Sequence, residues 1–203
     1  MREPTVAFTA ITLVLNGSPA RRALFIAVLA ALSGLLSNYG NDAFGDLTVL
    51  GVPPLPAIYF GIVLAIACRM WTGAGQLATL AIFGATFLAW FAAFRAADQV
   101  QSWLADVASL SGYRLFLAGL AGGFVGSAIT AFGISRVDSD FRSTRAWSRT
   151  VIIGTVAGSL LECLSNESRD QIPFHLDSLL PLFLVWQPAV AASIAYGLSR
   201  PGK

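Results

Sequence analysis

Apolar residues in this chain come in long runs separated by short polar stretches. That pattern suits helices surrounded by hydrocarbon better than helices with one wet face. The runs lie at 23–37, 55–68, 77–94, 115–134, 151–164 and 179–198. A bilayer core takes roughly 20 apolar residues in helical form. The fourth and sixth runs meet that length. The first, second and fifth are short, and are expected to recruit flanking residues or to thin the bilayer locally. The expected fold is therefore all-α: a polytopic membrane helical bundle of about six transmembrane helices, forming one domain over 1–203.

Ahead of the first run, 5–16 has a different rhythm. Thr5, Thr9, Thr12 and Asn16 recur at steps of four, three and four, which is one face of a helix, while Val6, Phe8, Ile11, Val14 and Leu15 fill the other. This predicts an amphipathic helix lying in the membrane interface. The competing reading is a cleaved signal peptide, with Arg2 in front and the small residues Gly17-Ser18-Pro19-Ala20 behind.

Composition agrees with lipid as the solvent: 56% of residues are hydrophobic and 12% charged, against roughly 25% charged in a soluble domain. Charge then sets orientation. With the N-terminus inside, the cytoplasmic loops hold Arg2, Arg21, Arg22, Arg69, Arg136, Arg142, Arg145, Arg149, Arg200 and Lys203, and the outer loops only Arg95, Arg114 and Arg169. Positively charged loops stay cytoplasmic, so the expected location is a cell membrane (an inner membrane in a bacterium), multi-pass, with both termini inside. Most acidic residues fall outside: Asp42, Asp46, Asp98, Asp106, Glu162, Glu167, Asp170 and Asp177. The outer loop at 39–56 mixes apolar Phe44, Leu47, Val49, Leu50 and Val52 with Pro53-Pro54 and Pro56. It is expected either to lie against the membrane or to cap the bundle, with the prolines starting a helix.

A weak repeat runs through the spans. The fourth ends Ala131-Phe132-Gly133-Ile134-Ser135-Arg136 and the sixth Ala195-Tyr196-Gly197-Leu198-Ser199-Arg200. Leu36-Ser37-Asn38 and Leu164-Ser165-Asn166 close the first and fifth. Three repeated hairpins account for this, as does the generic make-up of membrane helices. Helices in lipid associate through small residues that let backbones approach. Ala23, Ala27 and Ala31; Gly119, Gly123, Ser127 and Ala131, with Gly122 and Gly126 beside them; and Gly154 and Gly158 are the expected seams, either internal or facing a partner. The size, six spans, inside termini and Ala-x-x-x-Ala first helix are similar to the substrate-binding subunits of energy-coupling-factor vitamin transporters, a resemblance of architecture that assigns no residue.

Polar groups inside a span are costly and so are candidates for function. Trp186-Gln187-Pro188 lies near the middle of the sixth span. Pro188 has no N–H and frees the carbonyl of Leu184, so a helix break beside an amide makes a polar spot of the kind that binds substrate or ion in transporters. A simple packing kink with an interhelical hydrogen bond explains it equally. Glu162, near the outer end of the fifth span, is a candidate proton or cation group or a partner of Arg95 or Arg114. Asn38, at the outer end of the first span, completes the substrate- or ion-binding candidates.

No metal site or cofactor is expected. His175 is the single histidine, Cys68 and Cys163 are expected near opposite faces of the membrane, and no lysine lies in a span to hold retinal. With no nucleophile elbow, zinc-binding helix or phosphate loop, an enzyme is not expected, and no basic block suits nucleic acid. The expected partners are the lipid bilayer, a protein subunit or second copy, and an unidentified small molecule or ion. The leading expectation is a transport-related protein, a carrier of a small solute or ion or its membrane subunit. The alternative is a non-transporting module that assembles with or anchors other proteins.

Overall fold

The computed structural model describes residues 17–44, 48, 49, 51–105, 107, 113–166 and 180–198, without the side chains of 41–44, 161–166 and 180–182. The expected interfacial helix at 5–16, the outer residues Glu167, Asp170, His175 and Asp177, and the C-terminal 199–203 lie outside the described residues. The described chain is all-helical: α1 (Pro19–Phe44), α2 (Leu55–Thr72), α3 (Gln76–Leu104), α4 (Arg114–Ser135), a 3-10 turn (Asp140–Arg142), α5 (Thr144–Asn166) and α6 (Leu180–Gly197). Four of these, α1 to α4, are long and apolar enough to cross a membrane.

All three short runs recruit flanking residues, the second least, its helix running on from Cys68 to Thr72. The run at 23–37 sits inside a helix of 26 residues and that at 151–164 inside one of 23. In α1 the extension absorbs Tyr39 to Phe44, which the sequence had left to the outer loop. Helix α3, at 29 residues, is roughly 43 Å long and so outruns a hydrocarbon core of about 30 Å. After Gln76 at its start, its exposed positions turn polar only in the last third, at Arg95, Asp98, Gln99 and Ser102.

Successive helices run antiparallel and pack on their neighbours in sequence, and α6 returns to α1 to close a ring. Helix α6 also reaches α2 and α4 across the middle. The seams are cut by glycine. A Cβ at Gly119 would fall on the carbonyl oxygen of Gly158, and one at Gly123 on that of Gly154. On the neighbouring stripe, Gly122 and Gly126 admit Ala93 of α3, and Gly34 of α1 admits Phe183 of α6. The expected Ala23, Ala27 and Ala31 stripe is only half-buried. The buried face of α1 is Ile26, Ala30, Ser33, Gly34, Ser37 and Asn38.

The segment after α1 caps one end of the ring. Gly51, at φ 76°, adopts the left-handed backbone that glycine tolerates, and lets Val49 and Val52 exchange backbone hydrogen bonds of 2.9 and 3.0 Å. Val52 is thereby folded inward against Ala57, Trp90 and Phe183. The indole N–H of Trp90 donates to the carbonyl of Pro53 at 2.9 Å. Trp90→Phe keeps the ring contacts and strands that carbonyl, so it is expected to cost about 1 kcal/mol, read as a Tm lowered by a few degrees in detergent.

Candidate functional site

Consecutive residues on a helix point about 100° apart, so Trp186 and Gln187 face different neighbours. Trp186 turns into the middle of the ring. Its ring centroid lies 5.7 Å from that of Phe60 on α2, and its far edge fills the space left by Gly126 on α4. The indole plugs the bundle, yet its buried Nε1 has no hydrogen-bond partner.

Gln187 turns instead into the α1–α6 seam and is fully buried. The Ser33 hydroxyl lies 3.2 Å from Gln187 Oε1 and 2.8 Å from the carbonyl of Ala30. One hydroxyl carries one proton, and the shorter contact takes it. Exchanging the amide oxygen and nitrogen, which share one outline, lets the amide N–H donate to Ser33 Oγ instead. In either arrangement at least one end of the buried amide has no partner. Helix α6 runs on through Pro188 without a break, because a single missing rung does not end a helix whose next turns, at Val190, Ala191 and Ile194, are held in the core. The proline therefore removes a donor without opening the helix.

The candidates are only partly brought together. Asn38 shares the buried face of α1 with Ser33 and Ser37, about a turn and a half further along, and the Ser37 hydroxyl donates to the carbonyl of Ser33 at 2.7 Å. Glu162 belongs to α5, on the far side of α6, and its side chain lies outside the described residues. Mid-bundle, the described polar groups are neutral.

The charge sits at the end where α1 begins and α6 finishes. There Arg22 is buried, donating from Nη2 to the carbonyl of Leu198 at 3.3 Å, with its guanidinium 5.6 Å from the Trp71 ring centre. Asp138 is buried too; its Oδ1 accepts the backbone N–H of Asp140 at 2.8 Å and of Phe141 at 3.2 Å. Beside them Arg149 donates to the carbonyl of Ser193 at 2.9 Å, and the hydroxyls of Thr150 and Ser193 lie 2.9 Å apart. Helix α6 is thus tied by polar contacts at its middle and at its end. The sequence reading put Arg22 in a cytoplasmic loop and did not single out Asp138. A signal for Arg22 existed: it shares the helical phase of Ile26, Ala30, Ser33 and Ser37, which Arg21 does not. Nothing local marks Asp138 for burial.

Comparison with family models, curated proteins and solved structures gives no match. No family is assigned. The likeness to the vitamin-transporter subunits gains nothing from the fold, and its alanine stripe is not the buried face of α1. Function has to be argued from the site itself.

Proposed function

We propose that the chain is a six-span membrane protein with cytoplasmic termini, and that it is transport-related, binding a small solute at the Gln187 amide between α1 and α6. Membrane placement is supported by the outward faces. Leu24, Val28, Leu32 and Leu36 on α1, Ile62 and Ile66 on α2, and Ile152, Val156 and Leu160 on α5 are all exposed. In water a bundle would put its polar residues there. Exposed Tyr39, Trp103 and Tyr113 gather at one end of the ring, where an aromatic belt would meet the headgroups. Arg21, Arg69, Arg136, Arg142 and Arg145 are exposed at the other, which favours that end as the cytoplasmic one.

The observation that carries the transport reading is the fully buried amide of Gln187, whose Nε2 has no hydrogen-bond partner. Buried polar atoms without partners cost free energy, and such costs collect at functional positions. A solute acceptor placed at that amide would satisfy it. A structural Gln would be expected to have both ends of its amide bonded. The hairpin repeat is a finer reading that the burial pattern supports: Thr130, Ala131 and Ile134 are buried as are Ile194, Ala195 and Leu198, with Phe132 and Tyr196 exposed at the matching place.

Native mass spectrometry of the protein gently extracted from its own membrane tests the proposal. A retained small molecule is the expected result. A retained protein and no small molecule would favour the assembly reading instead. That second reading has its own support in α3, the least buried of the four long apolar helices, where Gly84 faces open space between exposed Leu80 and Leu88.

A further inference from the structure

Between the end of α4 and the start of α5, the segment 136–149 carries Arg136, Arg142, Arg145 and Arg149 against Asp138 and Asp140. Asp138 is buried, its Oδ1 accepting backbone N–H groups of its own turn, and with both carboxylates counted against the four arginines two positive charges are left over. Arg145 and Arg149 stand four residues apart on α5, a spacing at which like charges repel. The cluster calls for an anion from outside.

Two of these arginines are held at a defined height. The guanidinium of Arg136 lies 4.5 Å from the ring centre of Phe132, and that of Arg149 lies 4.8 Å from the ring centre of Tyr196. Both rings are 52% exposed, on the apolar flank rather than on the end of the ring. Arginine over an aromatic face is favourable, and aromatic rings at a bilayer boundary sit at headgroup level. Arg142 donates from Nε to the carbonyl of Ser135 at 2.8 Å, which uses one of its five N–H groups and leaves the terminal pair for a two-pronged contact with phosphate.

We infer that this end of the bundle binds the headgroup phosphate of an anionic phospholipid through Arg142 and Arg145, flanked by the Arg136–Phe132 and Arg149–Tyr196 pairs. A lipid fits better than a soluble anion because the aromatic rings place the cations beside the acyl chains. The inference shares the membrane placement proposed above but not the transport role.

The test uses the full chain in nanodiscs of equal phosphatidylcholine and phosphatidylglycerol, ejected into a native mass spectrometer with its bound lipids. Phosphatidylglycerol is expected to be several-fold enriched among retained lipids, and Arg142→Gln/Arg145→Gln to bring that ratio back close to parity. Arg95→Gln/Arg114→Gln, at the opposite end, is expected to leave it unchanged. Both Arg142 and Arg145 are exposed, so the fold should survive; where it does not, the wild-type preference decides alone. No wild-type preference, equal loss in both double variants, or displacement of the lipid by millimolar inorganic phosphate would each overturn the inference. Failure of the chain to enter nanodiscs at all would strike the membrane placement instead.

Discussion

Gly158→Ala is expected to destabilise the bundle by about 3 kcal/mol, the upper end of overpacking costs, although it adds one methyl group. The new Cβ would land on the carbonyl oxygen of Gly119, 2.9 Å from the Cα of Gly123 and 3.2 Å from its nitrogen. All three obstacles are backbone, so no side chain can swing aside. Helices α4 and α5 would have to separate, and in lipid their contact is the whole of what holds them together, because hydrocarbon outside is as apolar as hydrocarbon between them. Gly84→Ala is the matched control. A Cβ there meets nothing within 4 Å, and alanine favours helix over glycine by up to about 1 kcal/mol. Thermal unfolding in one detergent should therefore lower Tm for the first variant and hold or raise it for the second. Equal Tm values for the two would mean that the α4–α5 seam is not packed through glycine.

That seam is the part of the fold most legible in the sequence. Gly119, Gly123 and Ser127 at steps of four, with Gly154 and Gly158 on the next helix, leave backbones free to touch, and they do. The α1 stripe misled because alanine is cheap on either face of a membrane helix. Only the polar residues Ser33, Ser37 and Asn38 mark the side of α1 that must find partners, and they lie on the other phase. The helix ends were legible where glycine or proline fixes the chain, as at Gly73 after α2, with φ 68°. They were not legible after Asn38, where Asn41 and Asp42 look like loop and yet continue α1 to Phe44. Gln187 stood out as an amide in an apolar run. Its partner Ser33 did not, because that contact depends on α6 closing back onto α1, a pairing between the two ends of the described helices that no local pattern encodes. Burial of Arg22 has the same origin: its acceptor is the carbonyl of Leu198, on the last helix.

For Gln187→Leu, function and stability are expected to move in different directions. Leucine is close in size, loses the single contact to Ser33, and removes the amide end that has no partner. Hydrogen bonds between membrane helices average about 0.6 kcal/mol, while an unsatisfied buried polar atom costs about 1–3 kcal/mol. The second term wins, so the variant should unfold at the wild-type temperature or a few degrees above it. Solute binding should meanwhile fall at least tenfold, because the group left waiting for a partner is gone: the small molecule retained by the wild-type chain should be missing from the variant. Ser33→Ala is expected to behave differently, keeping the solute while losing a little stability, since the serine supports the amide and is not itself left unpaired. A purely structural glutamine predicts the reverse for Gln187→Leu, with a Tm several degrees lower and any bound solute retained. Because the two roles predict opposite signs on both axes, measuring Tm and retained mass on one preparation separates them.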